Sequence, residues 1–203
     1  KVEIIETRTV GPTLGQDSKD KSQFAFVVGL GAVVAFMIFF YHLSGIIADV
    51  ALMAYTVMLL GILYLMDATL TLPGVAGIIL SIGMAVDANV LIFEHFKEEY
   101  QVNRKSLRLA MDAGFKRAFT TIFDSNVTTL IAAGVLFFLG TGTIRGFAIT
   151  LGVGTILSMF TAITLTQFML KLMINSKISE NPWLYGANGF MLGIKKTGDE
   201  KNA

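Results

Sequence analysis

The chain is 203 residues long, 54% apolar and 15% charged, with 16 Lys and Arg against 15 Asp and Glu. This composition excludes an ordinary water-soluble domain and fits a polytopic membrane protein, and a net charge of +1 gives no sign of a nucleic-acid partner. With no Cys, disulfides, thiolate chemistry and Cys-ligated metals are excluded, and His42 and His95 alone argue against a zinc site.

The first residue is Lys, and residues 1–22 lack the basic start and apolar core of a signal peptide. Val2, Ile4 and Ile5 among charges suggest the last strand of a preceding external domain. Gly11, Pro12 and Gly15 suggest a turn-rich connection into the membrane. Residues 1–22 are therefore read as the remnant of an external domain plus linker, 23–173 as a transmembrane helical domain, and 174–203 as a mobile cytoplasmic tail.

Five apolar stretches of spanning length follow: Phe24–Tyr41, Ile46–Met66, Pro73–Phe96, Phe119–Leu139 and Gly146–Leu172. The expected fold is an all-α bundle of about five transmembrane spans. Asp49 falls near one end of the second stretch and reads as interfacial.

The third stretch holds an acid deep in hydrocarbon. Pro73 starts a helix at no cost, because its missing N–H would be unpaired there. Asp87 lies 14 residues on, roughly 21 Å along a path of about 30 Å. A carboxylate there costs at least about 2.5 kcal/mol on insertion scales, so such a residue faces protein or a water-filled cavity and marks a proton or ion site. The structural alternative is a polar bond to a neighbouring helix. Gly77, Ser81, Ala85 and Asn89 recur every four residues as a small-residue packing stripe, and Gly83 removes a side chain one turn before Asp87.

Between the third and fourth stretches, Lys97 to Ala118 carries six basic residues among Leu107, Leu109, Met111 and Phe115, a pattern for a short amphipathic helix on the membrane surface. The fourth stretch contains Asp124, Ser125, Asn126, Thr128 and Thr129. Asp124 lies about 8 Å in from Phe119 and Asp87 about 9 Å from the same edge, so the two acids could meet. A helix beginning near Asp124 would instead make this cluster an ordinary N-terminal cap. Gly140, Gly142 and Gly146 mark the next turn, with Arg145 inside it, and Gly146, Ala148, Gly152 and Gly154 prepare the last span for close packing.

The long connection and the tail hold eleven Lys and Arg, the opposite side five, which places both segments in the cytoplasm and the N-terminus outside. An odd number of spans starting outside implies a further upstream span.

The segments TRTVGPTLGQDS, LTLPGVAGIILSIGMAVDANVLIFEHFKEE, DSNVTTLIAAGVLFFLGTG and IRGFAITLGVG occur in order, and together they resemble the membrane half of the SecD/SecF family of bacterial protein translocase subunits. The resemblance covers about Thr7 to Lys171 and places the chain in the resistance-nodulation-division superfamily. It implies a multi-pass inner-membrane subunit working with a SecF-like subunit and the SecYEG channel, drawing a translocating preprotein out of the lipid bilayer by proton movement. It implies Asp87 as the proton carrier, with Asp124 and Asn126 close to it; the residue pattern adds Asn89 to this proton relay and gives Gly77, Ser81, Gly83 and Ala85 to helix packing. It implies no catalytic residue and no cofactor beyond the proton as coupling ion. A proton-driven efflux or lipid exporter of the same superfamily, and more remotely an intramembrane aspartyl protease using Asp87 and Asp124, are the alternatives.

The topology can be tested on the Cys-free background. A Lys105→Cys variant should react with a membrane-impermeant maleimide from the cytoplasmic side only, and labelling from outside would overturn the orientation.

Overall fold

The computed structural model describes residues 12–103 and 106–174, with side chains described over 20–103 and 106–172. The suggested strand at Val2 to Ile5 and the tail beyond Ile174 lie outside the described residues. Among those residues every element is helical: α1 (Pro12–Leu65), α2 (Leu72–Gln101), α3 (Leu107–Leu139), α4 (Thr143–Phe160), a π-helical segment (Thr161–Thr166) and α5 (Gln167–Ile174).

Pro12 opens α1, so residues 12–22 are helical and not the turn-rich connection expected of them. α1 is two helices in one. At His42 the backbone turns to φ 51°, ψ −119°, which no helix accommodates. The contacts on either side show a reversal. Ala32, Val33 and Phe36 share a cavity with α2 residues 80–90, while the Tyr41 ring packs against Phe93 at 5.5 Å between centres, so the first arm of α1 runs parallel to α2. Beyond the break Tyr55 reaches back to Ser81, so residues 43–65 run antiparallel. Gly45 permits the turn, since a Cβ there would overlap the carbonyl of Met37. Asp20–Leu65 spans 46 residues, about 69 Å of helix, enough for two crossings of about 30 Å. With α2, α3 and the rod from Thr143 to Leu172, that makes five spanning lengths.

α2 is the central helix. Thr71 caps it by accepting from the Gly74 N–H at 3.2 Å, and Pro73 occupies its first turn. The small-residue stripe faces the last rod. A Cβ on Gly77 would strike the Thr150 hydroxyl, one on Gly146 would stand 2.8 Å from Thr71 Oγ1, and one on Gly154 would stand 2.5 Å from Ser81 Cβ and 3.0 Å from the Tyr55 hydroxyl. Ala85 is buried between these contacts, and Asn89 Oδ1 accepts from Thr166 Oγ1 at 2.9 Å. Backbones can approach this closely only where side chains are absent or short.

The basic segment after α2 differs from expectation. No separate surface helix stands there: α2 runs on to Gln101 and α3 starts at Leu107, so the supposed amphipathic helix is the first turns of α3. Gly114 lets this extension press on the Phe96 backbone, with 2.8 Å from an ideal Cβ to the Phe96 nitrogen. Arg117 Nη1 ties the two helices through Glu98 at 3.0 Å and Glu99 at 3.5 Å. Long-range packing here outweighs the weak local preference for a surface helix.

At the far end of α3, Gly142 takes φ 48° and Arg145 Nε donates to the Gly140 carbonyl at 2.9 Å, closing the turn into α4. Along the last rod Thr155, Ser158 and Thr161 donate to carbonyls three or four residues back. Such back-bonding bends helices, and here it precedes the π-helical segment.

Gly154→Ala should therefore destabilise the detergent-solubilised protein by about 1–3 kcal/mol through overpacking. Gly134→Ala, at a helical glycine with open space around it, should be neutral or stabilising by up to about 1 kcal/mol. Equal thermal shifts for the two would contradict the seam.

Candidate functional site

The site is built by the register of α2. Two residues along a helix turn by about 200°, so with Asn89 directed at the last rod Asp87 points the other way. Asp87 was expected to face inward beside the fourth span; it is exposed on the surface of this bundle. Two cavities flank it. One, of about 500 Å³, lies against the first arm of α1 and is walled by Ala32, Val33, Phe36, Gly83 and Met84. The other, of about 140 Å³, lies against α3 and is walled by Ala88, Leu91, Ile122, Ser125 and Asn126. No Lys or Arg lines either cavity.

Of the proposed relay residues, the structure brings Asp87 and Asn126 together on one cavity and separates the other two. Asn126 is buried and donates to the Ile122 carbonyl at 2.7 Å. Asp124 is exposed, two residues away on another side of α3, and it lines neither cavity. It is not a helix cap either, because α3 begins at Leu107, 17 residues earlier by subtraction. Thr128 and Thr129 spend their hydroxyls on the Asp124 and Ser125 carbonyls at 3.0 and 3.1 Å. Asn89 belongs to the packing seam through Thr166.

The packing residues divide in the same way. Gly77, Ser81 and Ala85 are buried. Ser81 is fully buried, accepts from Tyr55 Oη at 2.8 Å and donates to the Ile78 carbonyl at 2.8 Å. Gly83 packs against nothing: a Cβ there would meet no atom within 4 Å, and its missing side chain widens the cavity beside Asp87.

Three features lay beyond the sequence reading. Asp49, taken as interfacial, is buried at 8% exposure, and neither carboxylate oxygen has a hydrogen-bond partner. It lies between Tyr41, level with Glu94, and Tyr55, level with Ser81, and so falls in the depth range of Asp87. Lys97 is buried at 6% exposure, with Nζ 3.0 Å from Glu94 Oε1 and 4.2 Å from the centre of the Tyr41 ring. Tyr41 Oη donates to that same Glu94 oxygen at 2.9 Å. Beyond the membrane segment, hydrogen bonds from Arg117 and His95 hold the Glu98 carboxyl below its ordinary range. The four-residue spacing of Glu94 and Glu98 in the sequence was the available signal for this charged end. Tyr41 meets Glu94 across 53 residues of chain, through a register between helices that the sequence alone does not give. Among the described residues no three His, Asp or Glu converge as metal ligands.

Residues 1–176 match the family described as protein export membrane protein SecD/SecF, C-terminal. The chain is similar to the protein translocase subunit SecD of Acidaminococcus fermentans, 61% identical over 190 residues that cover 94% of this chain and 45% of that protein. It is also similar to the protein of the same name from Dictyoglomus turgidum, 56% identical over 170 residues covering 84% of this chain and 42% of the relative. The crystal structure of SecDF from Thermus thermophilus, described as a translocon-associated membrane protein, superposes with a TM-score of 0.78 at 39% identity, over 83% of this chain and 23% of that one. The chain thus spans under half the length of these curated relatives.

Proposed function

We propose, because the chain belongs to the SecD/SecF family of protein export membrane proteins, that it forms the membrane half of a SecD-type translocase subunit that couples proton movement to preprotein export. The observation that carries the proton role is the placement of Asp87: an acid at spanning depth, exposed on one face of α2, between two cavities whose linings hold no cation.

A carboxylate on the outside of a single bundle is costly in lipid, so this face requires cover. The proposed cover is a homologous SecF-like subunit packed against α2 and supplying polar or basic groups. Burial disfavours the charged form of a carboxyl and a neighbouring cation favours it. A partner that approaches and withdraws would make Asp87 take up a proton from one side and release it to the other, with Asn126 hydrogen-bonding the neutral or charged acid. About 2.3 kcal/mol per proton for each 100 mV would be available for the work. The SecYEG channel and the passenger chain are the further partners of this reading, and the inner membrane, with the N-terminus outside and the C-terminus in the cytoplasm, is its location.

An efflux or lipid exporter of the resistance-nodulation-division type would share an intramembrane acid, but the identity to SecD subunits over nearly the whole chain favours export of protein. The aspartyl protease alternative loses its support, since Asp124 lies off the cavities that Asp87 lines.

Asp87→Asn conserves size and hydrogen bonding but cannot carry a proton. In vesicles bearing the full-length protein it should reduce preprotein export to the level seen without a proton gradient, while the folded protein stays intact by thermal shift. Retention of the full gradient-dependent stimulation would leave Asp87 a structural role only. For the partner, a SecF-like chain should co-purify with the full-length protein in mild detergent and shield Asp87→Cys from maleimide. Free labelling of that cysteine inside the complex would place the partner elsewhere.

A further inference from the structure

A third cavity, of about 220 Å³, opens between α2, α3, the π-helical segment and the start of α5; Asp87 does not line it, although Ile122 is a wall of both this cavity and the one beside Asp87. Its floor is apolar and comes from three elements: Ile92, Phe115 with Ile122, and Ile163. Its rim is polar, formed by Asp112, Lys116 and Gln167, with exposed Phe119 beside them at the point where the apolar part of α3 begins. A hydrocarbon floor with a charged rim at the edge of a spanning helix has the amphipathic order of a membrane lipid, tail inward and headgroup at the boundary.

The charges at the rim decide which headgroup. Asp112 is engaged by Lys171, Nζ to Oδ1 at 3.6 Å, so its negative charge is offset from within the bundle. Arg117, next in sequence, is committed to Glu98 and Glu99. Lys116 is exposed and has no ion-pair partner among the described residues, which leaves one ammonium over an apolar slot. Basic pockets between transmembrane helices favour anionic headgroups, and the widened turn at Thr161–Thr166 supplies the wall on which the chain would lie.

We propose that this groove holds one anionic phospholipid of the surrounding membrane, its phosphate on Lys116 and part of an acyl chain on Ile92, Phe115, Ile122 and Ile163. The inference rests on the bundle being membrane-embedded and is independent of proton coupling.

The test is lipid retention by the full-length protein. It is incubated with phosphatidylglycerol or phosphatidylcholine vesicles, extracted in mild detergent, and the retained lipid is counted by native mass spectrometry. Phosphatidylglycerol should be retained in preference to phosphatidylcholine. Lys116→Glu, at an exposed position and with its folding checked by thermal shift, should lower its retention about fivefold, while Lys21→Gln at the other end of the bundle should not. Ile163→Trp fills the slot without touching a charge and should remove the lipid, its folding checked by thermal shift. Inorganic phosphate should not displace the lipid, since it lacks the tail. Equal retention by wild type and Lys116→Glu, displacement by phosphate alone, or a protein chain cross-linking at position 116 in place of lipid would each overturn the proposal.

Discussion

Inside a bilayer there is no water to expel between helices, so association rests on how closely two backbones can approach and on the hydrogen bonds that proximity allows. In this chain that constraint acts along one seam, between α2 and the rod of α4, the π-helical segment and α5. Glycine alternates across it, Gly77 facing Thr150 and Gly154 facing Ser81, so each missing side chain on one helix receives a hydroxyl from the other. Tyr55 and Thr166 then close the seam with hydrogen bonds to Ser81 and Asn89. Because the seam fixes the rotation of α2, it also fixes which residues that helix turns outward.

Asp87 is one of those residues. The cavity toward α1 is apolar apart from Asp87, the one toward α3 adds Thr121, Ser125 and Asn126, and neither holds a basic side chain. This arrangement suits a surface completed by another protein, since lipid alone offers a carboxylate neither charge nor hydrogen bonds. The same register puts Gly83 on the outward side, where it adds space and no contact.

Much of this was legible in the sequence. Apolar length located five crossings, and the four-residue recurrence of small side chains identified a packed face. Depth arithmetic put Asp87 well inside the third apolar stretch, and the motif order pointed to the family. What was not legible depends on rotation and on partners distant in the chain. Asp87 and Asp124 share a depth, but depth says nothing of azimuth, and α3 turns Asn126 to the cavity instead. Asp49 reads as interfacial because it lies three residues inside the second apolar stretch, and the sequence does not show which neighbours bury it. The long basic connection reads as a loop with a short surface helix because its charges interrupt the apolar pattern of the spans on either side. Glu98, Glu99 and Arg117 instead carry the helices onward.

That continuation has a mechanical meaning. α2 has 30 residues and α3 has 33, about 45 and 50 Å of helix, against a hydrocarbon thickness of about 30 Å. Neither has a kink at the boundary, and Gly114 on Phe96, with Arg117 on Glu98, binds the two protruding ends side by side. A pair of stiff rods without a joint behaves as a lever. Any tilt of α2 about the level of Asp87 is carried to its C-terminal end as a lateral displacement that grows with distance, and α3 must move with it.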